Sequence, residues 1–469
     1  MEILLCSSYY LTYEIMAGAR GQPYAPLGIL YLAAYLRQFG LQVGIFDATF
    51  ANGLSDFINA LQQNKPRVVG IQGLITTRNI SKLMIQAAKN LGAVVIMGGP
   101  DPSSSWEDYL QWGADYVVIG EGELPLHKLM LYLTKQSGKS DDINFGDIPG
   151  LAYTKNGQIH LTSGYRKNAN LDSLPLPAYD LINVEKYLDA WRSYNGYASM
   201  HLLTSRGCPF GCEWCSHAVF GRTFRQRSVE NVIKEMHFLY DTYRPDHLTI
   251  GDDTFGLNAR WLSDWCDAFK DAGFKFRFRC FSRADVVNEQ MLLKLKEVGC
   301  SHIHLGVESG SQRILDSMNK GTRVEDIYRV SDLIKKAGIG LGYFIMLAYP
   351  GETYKDIHKT EKLILEIKPD TLGLSIAYPV PGTLFYERVR GDILPLVNNN
   401  GEEQMGSGYQ LKFRATYPAL YYRHLLGYIQ RRYRLYTKTG SRLERLSANL
   451  LAVLDFIFLR MFERLWLLF

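Results

Sequence analysis

Three cysteines stand within eight residues of one another: Cys208, Cys212 and Cys215, spaced x3 then x2 in the run Thr204-Ser205-Arg206-Gly207-Cys208-Pro209-Phe210-Gly211-Cys212-Glu213-Trp214-Cys215. Thiolates this close suit one soft metal centre. A fourth ligand would close a structural zinc site, and His217, the second residue past Cys215, is the candidate for it. Three thiolates on a four-iron cluster instead leave one iron open to substrate or cofactor. The remaining cysteines, Cys6, Cys266, Cys280 and Cys300, are scattered in apolar settings and offer no evident fourth ligand. Seven cysteines in 469 residues are few, and the number is odd, which excludes a disulfide scaffold.

The elements that must position these thiols follow a β/α rhythm. In the first ~135 residues, strands are predicted at Glu2–Cys6, Gln42–Phe46, Arg67–Ile71, Ala93–Met97 and Tyr116–Ile119. Helical patterns at Pro26–Phe39, Ser55–Gln63, Asn79–Leu91, near Ser104–Trp112 and at Leu124–Thr134 alternate with them. Five such units imply a parallel, doubly wound sheet, whose ligands bind beyond the carboxyl ends of the strands. Those ends read Gly73-Leu74-Ile75-Thr76, Gly98-Gly99-Pro100 and Gly120-Glu121-Gly122-Glu123 on three of the strands. Glycine there lets backbone approach a ligand closely.

Residues 136–196 read as a connector with a small hairpin, Gly146–His160, turning at Lys155-Asn156-Gly157. The rhythm then resumes with strands at His201–Thr204, His247–Ile250, Lys275–Phe281, His302–Val307, Gly340–Met346 and Thr371–Ile376. Helices are predicted between them at Val229–Thr242, Arg260–Ala272, Asn288–Val298, Val324–Ala337 and Asp356–Ile367. Six units suggest a partial barrel, with its chemistry at the strands' C-terminal ends. The cysteine run follows the first of these strands, a place where zinc knuckles are not expected.

On these residues the sequence resembles the radical S-adenosylmethionine (SAM) superfamily. Its signature is Cys208-x3-Cys212-x2-Cys215 at the end of the first barrel strand, with the aromatic Trp214 before the last cysteine. With the preceding domain, it looks like the subfamily that joins a cobalamin-binding domain to the radical SAM barrel. The resemblance implies an α/β fold in four parts. Residues 1–135 form a Rossmann-like cobalamin-binding domain, 136–196 a connector, 197–390 a partial (β/α)6 barrel, and 391–469 a basic helical tail.

The resemblance further implies that Cys208, Cys212 and Cys215 hold a 4Fe-4S cluster that binds and cleaves SAM to a 5′-deoxyadenosyl radical. It places Trp214, Asp252, Asp253, Arg283, Glu308 and Ser309 around SAM. Gly73, Gly98, Gly99, Pro100, Gly120, Glu121 and Gly122 would contact cobalamin. The Asp-x-His-x-x-Gly motif of many cobalamin proteins is absent, and no histidine precedes His127, so cobalt is expected to lack that imidazole. C-methylation of an unactivated carbon is the implied reaction. Oxidation or cyclisation without methyl transfer, as in the anaerobic Mg-protoporphyrin ester cyclase, is the alternative, and a non-catalytic Fe–S or cobalamin carrier is a remote one. A methylthiotransferase is disfavoured, because the N-terminal domain has only Cys6. A reduced flavodoxin or ferredoxin is the implied electron donor.

Charge completes the picture. The chain carries a net +5, yet residues 412–445 hold nine basic side chains against Glu444, a net +8, so the rest sums to −3. That distribution argues against a nucleic-acid-binding body. Segment Ser447–Phe469 is very apolar, but no apolar run exceeds five residues, so a spanning helix is not expected. A basic stretch before an amphipathic segment fits either peripheral membrane contact through residues 412–469 or a helix docked on the barrel or a second subunit. Membrane contact would favour a lipid, isoprenoid or tetrapyrrole substrate. The N-terminus lacks a basic signal-peptide region, so a cytoplasmic protein is expected.

Overall fold

The structure is a computed structural model that describes residues 1–12, 22–134, 145–164, 167–394, 411–437 and 442–466. Residues 136–144 of the expected connector, Lys438, and the last three residues of the apolar tail lie outside the described residues, as do the side chains of Arg442, Glu444, Arg445 and Arg464. The chain divides into two compact units. The first comprises Met1–Pro209, Ser216–Asp252 and Asp271–Phe276; the second comprises Phe210–Cys215, Asp253–Lys270 and Arg277–Phe469.

In the first unit, strands β1 (Ile3–Ser7), β2 (Val43–Phe46), β3 (Val68–Gln72), β4 (Val94–Gly98) and β5 (Tyr116–Val118) are parallel and ordered β2-β1-β3-β4-β5. Runs such as Val68-Val69-Gly70-Ile71 suit strands buried on both faces. One face is covered by helices Leu54–Asn64, Arg78–Asn90 and Trp106–Gln111, which bring in Phe57, Met84 and Tyr109. The other is covered by Leu27–Arg37 and Glu123–Thr134, through Ile29, Ala33 and Leu129. The sheet is therefore doubly wound, and its order reverses between β1 and β3. The helix predicted near Ser104–Trp112 is two helices, Pro100–Ser104 and Trp106–Gln111, broken at Ser105, where φ is −134°.

The hairpin is not a free-standing part of a connector. Its strands β6 (Leu151–Lys155) and β7 (Gln158–Leu161) continue the same sheet, antiparallel, with Val117 opposite Ala152. Asn156 and Gly157 turn it at φ +52° and +75°, as a tight two-residue hairpin turn requires.

The barrel strands are all present. In the first unit β8 (Ser199–Leu202) pairs in parallel with β11 (His247–Ile250), while short β9 (Ser205–Arg206) pairs antiparallel with β10 (Arg225–Gln226). In the second unit β12 (Arg277–Ser282), β13 (Cys300–Glu308), β14 (Gly340–Leu347) and β15 (Thr371–Ile376) lie side by side, all parallel. Capping fixes several of the intervening helix starts. The Ser228 and Asn288 side chains each accept a backbone N–H three residues on, and Asp356 accepts both the N–H and the hydroxyl of Thr353. The first barrel strand ends two residues before its predicted limit, because Thr204 N–H leaves the ladder for a carboxylate.

The tail of the second unit holds two helices, Ala419–Thr437 and Arg442–Trp466, which pack on each other; the former also packs on barrel helix Tyr354–Ile367. Among the described residues no helix is long and apolar enough to cross a membrane.

Candidate functional site

The cysteine run begins where β8 ends. Asp252, just past β11, takes both backbone N–H groups and both hydroxyls of Thr204 and Ser205, with Thr204 N at 2.7 Å and Ser205 Oγ at 2.7 Å. Burial pushes this carboxyl up to about 6 against the pull of those four donors. Asp252 thus fixes the strand end from which the cysteine run starts. Asp253, the other half of the pair, is exposed.

Gly207 then turns the chain at φ +84°. A Cβ on it would lie 2.2 Å from the carbonyl oxygen of Thr223, so only glycine closes this turn. Cys208 and Cys215 are half-buried, Cys212 is buried, and none is in a disulfide. The donor set, three soft thiols on one short loop, fits an iron–sulfur cluster, in which each thiolate takes its own iron. Among the described residues, no three His, Cys, Asp or Glu side chains converge as they would on a single metal ion. His217 Nε2 is buried and makes no hydrogen bond.

The later half of the run is held within the second unit. Arg283 is buried and stacks over the Phe210 ring at 3.6 Å. Its guanidinium donates to Cys212 Sγ at 3.5 Å, pairs with Asp285 at 2.8 Å, and donates to Lys320 O. In this arrangement the guanidinium supports the thiol. Glu213 donates its N–H to Met318 O at 2.9 Å and accepts from Phe385 N at 3.0 Å; its carboxylate takes Arg388 and the Tyr349 hydroxyl.

Trp214 is half-buried, its indole N–H makes no hydrogen bond, and Lys320 Nζ sits 5.7 Å from its ring. Lys320 in turn pairs with Glu308 at 3.1 Å, a residue held at φ +64°. Ser309 is fully buried, bonded to Thr360 Oγ1 and Ser311 N, so its side chain serves the turn.

The first unit holds a cavity of about 250 Å³ beyond the ends of β1, β3, β4 and β5. Gly98, Gly99, Pro100, Gly120, Glu121 and Gly122 all line it. Gly73 does not: a Cβ there would strike Pro102 at 2.7 Å, so it is a packing glycine. The floor is apolar, with Leu5, Ile71, Ile96 and Val118, which fits a bulky, partly apolar group. No histidine is among its lining residues; His127 stacks on Phe39 at 3.7 Å.

Leu203, Arg206, Val219 and Phe220, which flank the cysteine run, line the same cavity. Arg206 is buried there. It pairs with Glu123 at 2.7 Å and Glu121 at 3.3 Å, and lies 5.3 Å from the rings of Tyr31 and Phe220. Burial opposes its charge, but the Glu123 and Glu121 carboxylates more than offset this and hold its pKa above the ordinary value. Glu121 also takes Arg225 and the N–H of Asn168.

Sequence reasoning passed over Arg206, Glu123 and Arg225, whose pairing across 83 or more residues leaves no local signal. It also passed over one face of the second unit's strands. There Phe281, His304 and Phe344 form a ring cluster with centroids 5.5–6.0 Å apart. A signal existed for these: His302 and His304 alternate with Ile303 and Leu305 along β13. Burial lowers the His304 imidazole to about 3, so it is neutral, and its Nδ1 makes no hydrogen bond.

Comparison with known proteins agrees with this layout. The model of the radical SAM superfamily matches residues 202–364, and that of the B12 binding domain matches 13–130. An uncharacterised methyltransferase of Pyrococcus horikoshii is 32% identical over 381 residues, covering 80% of this chain and 80% of its own. The anaerobic magnesium-protoporphyrin IX monomethyl ester cyclase of Rubrivivax gelatinosus is 26% identical over 379 residues, covering 77% of this chain and 66% of its own. The structure of the radical SAM methyltransferase TsrM from Kitasatospora setae, with cobalamin and a 4Fe-4S cluster bound, matches with a TM-score of 0.69. It covers 83% of this chain and 78% of its own at 18% identity, a likeness of fold.

Proposed function

The chain belongs to the family of radical SAM proteins that carry a B12-binding domain, and from that premise we propose that it methylates an unactivated carbon of an organic substrate. Such enzymes take a 4Fe-4S cluster, SAM and cobalamin, and they need a reductant and an organic substrate. When bound, the cluster supplies the electron that opens the SAM sulfonium, and cobalamin supplies the methyl carrier.

The chain's own residues divide the work. Cys208, Cys212 and Cys215 hold the cluster, with Arg283 donating to Cys212 Sγ. Trp214, Lys320 and Glu308 border the SAM position, with Asp253 at its exposed rim. Gly98, Gly99, Pro100, Gly120 and Gly122 admit cobalamin at the strand ends. The ring cluster of Phe281, His304 and Phe344 offers an aromatic surface with one free imidazole nitrogen to a tetrapyrrole, isoprenoid or lipid substrate. A reduced flavodoxin or ferredoxin is the proposed donor.

One observation carries the reading: the glycine-walled cavity and the approach to the cysteine run share the wall that Arg206 and Leu203 make. Leu203 and Arg206 lead along the chain into Cys208, and that continuity is what supports a methyl carrier and a SAM-cleaving centre serving one reaction. The test is anaerobic reconstitution with iron, sulfide and hydroxocobalamin, followed by product analysis with methyl-labelled SAM. Label in the product is expected. Cleavage of SAM with unlabelled product would favour the cyclase-like alternative. The Cys208→Ala/Cys212→Ala/Cys215→Ala variant is expected to lose cluster and SAM cleavage but to retain cobalamin; cleavage by that variant would sink the assignment.

A further inference from the structure

We propose that helix Arg442–Trp466 lies on the surface of an anionic lipid bilayer, with the stripe Leu450, Leu454, Ile457 and Met461 buried in it. The stripe recurs at i, i+4, i+7 and i+11, so it forms one face. That face points outward: the four residues are 64%, 54%, 49% and 60% exposed. The two acids whose side chains are described on this helix, Asp455 and Glu463, point the other way. Asp455 is buried against His424 and Arg431, and Glu463 is buried against Tyr421, with its second oxygen toward Arg460. Over its described side chains the helix therefore hides acid and shows apolar residues, the reverse of a helix that faces water. Contiguous exposed apolar surface of this kind marks an interaction site.

Charge selects the occupant. The partner helix Ala419–Thr437 contains no acid, and its exposed side chains include Arg423 and Arg434. Arg460 borders the stripe on its own helix and is also exposed. Every exposed charge described on the two helices is positive, which matches an acidic headgroup layer next to an apolar interior. At 25 residues the helix is long enough but over its described residues not apolar enough to cross a membrane, so contact is in the plane of the surface. The proposal does not depend on methyl transfer.

Vesicle flotation of the full-length anaerobic protein tests it, with phosphatidylcholine vesicles compared against phosphatidylcholine containing 30% phosphatidylglycerol. Binding is expected to the anionic vesicles, weakened at least tenfold by raised salt and at least tenfold in Leu454→Glu/Ile457→Glu. Both positions are exposed, so circular dichroism should match the parent; Leu293→Glu, on an exposed barrel-helix position, serves as the control that keeps binding. Three results would overturn the proposal. These are no flotation with either vesicle, equal flotation with both, or a parent that dimerises in solution while Leu454→Glu/Ile457→Glu is monomeric. Loss of flotation with SAM cleavage intact separates this surface from the catalytic reading.

Discussion

Replacing Arg206 by methionine strips the cavity wall of a charge that two buried carboxylates need. Glu121 keeps Arg225 and the Asn168 N–H, but Arg206 is the one ion-pair partner of Glu123 among the described residues. Side-chain exposures of 7% for Arg206 and 8% for Glu123 leave little water to take over. Removing one member of such a buried pair costs about 3–5 kcal/mol, because the other is left as an uncompensated charge. Against a total stability of roughly 5–15 kcal/mol, that loss is large. The methionine stem retains most of the contact with Tyr31 and Phe220, so the effect isolates charge from packing. Anaerobic urea denaturation should show Arg206→Met less stable than the parent by that amount, with an unchanged m-value. Adding Glu123→Gln removes the stranded charge, and the double variant should regain roughly 1–3 kcal/mol. Cobalamin titration by absorbance should show weakened binding in both variants, since the wall itself is altered. A single variant within about 0.5 kcal/mol of the parent, or no recovery in the double, would refute the claim that the Arg206–Glu123 pair organises this wall.

Three further outcomes are expected. Gly207→Ala should lose most of its iron on reconstitution while keeping cobalamin, since its φ of +84° and the Thr223 carbonyl at 2.2 Å exclude a side chain; full iron content would contradict this. Gly98→Leu should stay folded, because a Cβ there meets nothing closer than Val118 O at 3.8 Å, but its side chain fills the cavity and cobalamin affinity should fall at least tenfold. Glu352 accepts from Ala348 N at 2.7 Å, and burial pushes its carboxyl from the ordinary 4.5 up to about 8. A raised carboxyl contributes its stability fully below pH 4.5 and loses it as the pH climbs toward 8. Glu352→Gln does not titrate, so its stability relative to the parent should rise by about 1.4 kcal/mol per pH unit in that window; a pH-independent difference in denaturation midpoint would rule this out.

How far the sequence reaches depends on the range of the interaction. The apolar runs of β1 to β5 and the period of the intervening helices are local, and they place the first sheet to within a residue or two. The cysteine spacing is local as well. Asp252 shows where local reading stops: its place after a strand is visible, but that Thr204 and Ser205 consume it is set by a pairing 48 residues away. Arg283 is similar, since its stacking on Phe210 and its contact with Cys212 join segments 71 residues apart. Gly73 and Gly98 look alike in sequence, and only the position of Pro102 tells packing from lining. The tail's composition leaves both placements open for its terminal segment; Ala419–Thr437 packs on Tyr354–Ile367 and on the terminal helix, whose stripe stays outward.

The anchorage of Glu213 sets a clock on assembly. Its partners are Met318, Tyr349, Phe385 and Arg388, the last 175 residues downstream. At roughly 5–20 residues per second of synthesis, about 9–35 s separate the emergence of the cysteines from that of their last support. Thr223, Asp252, Arg283 and Met318 emerge earlier in that interval, so the loop gains its supports in sequence, and thiols not yet fully held are open to oxidation to sulfenic acid or a mispaired disulfide. The last contact that fixes this loop is therefore made only after the barrel's final strand has been synthesised.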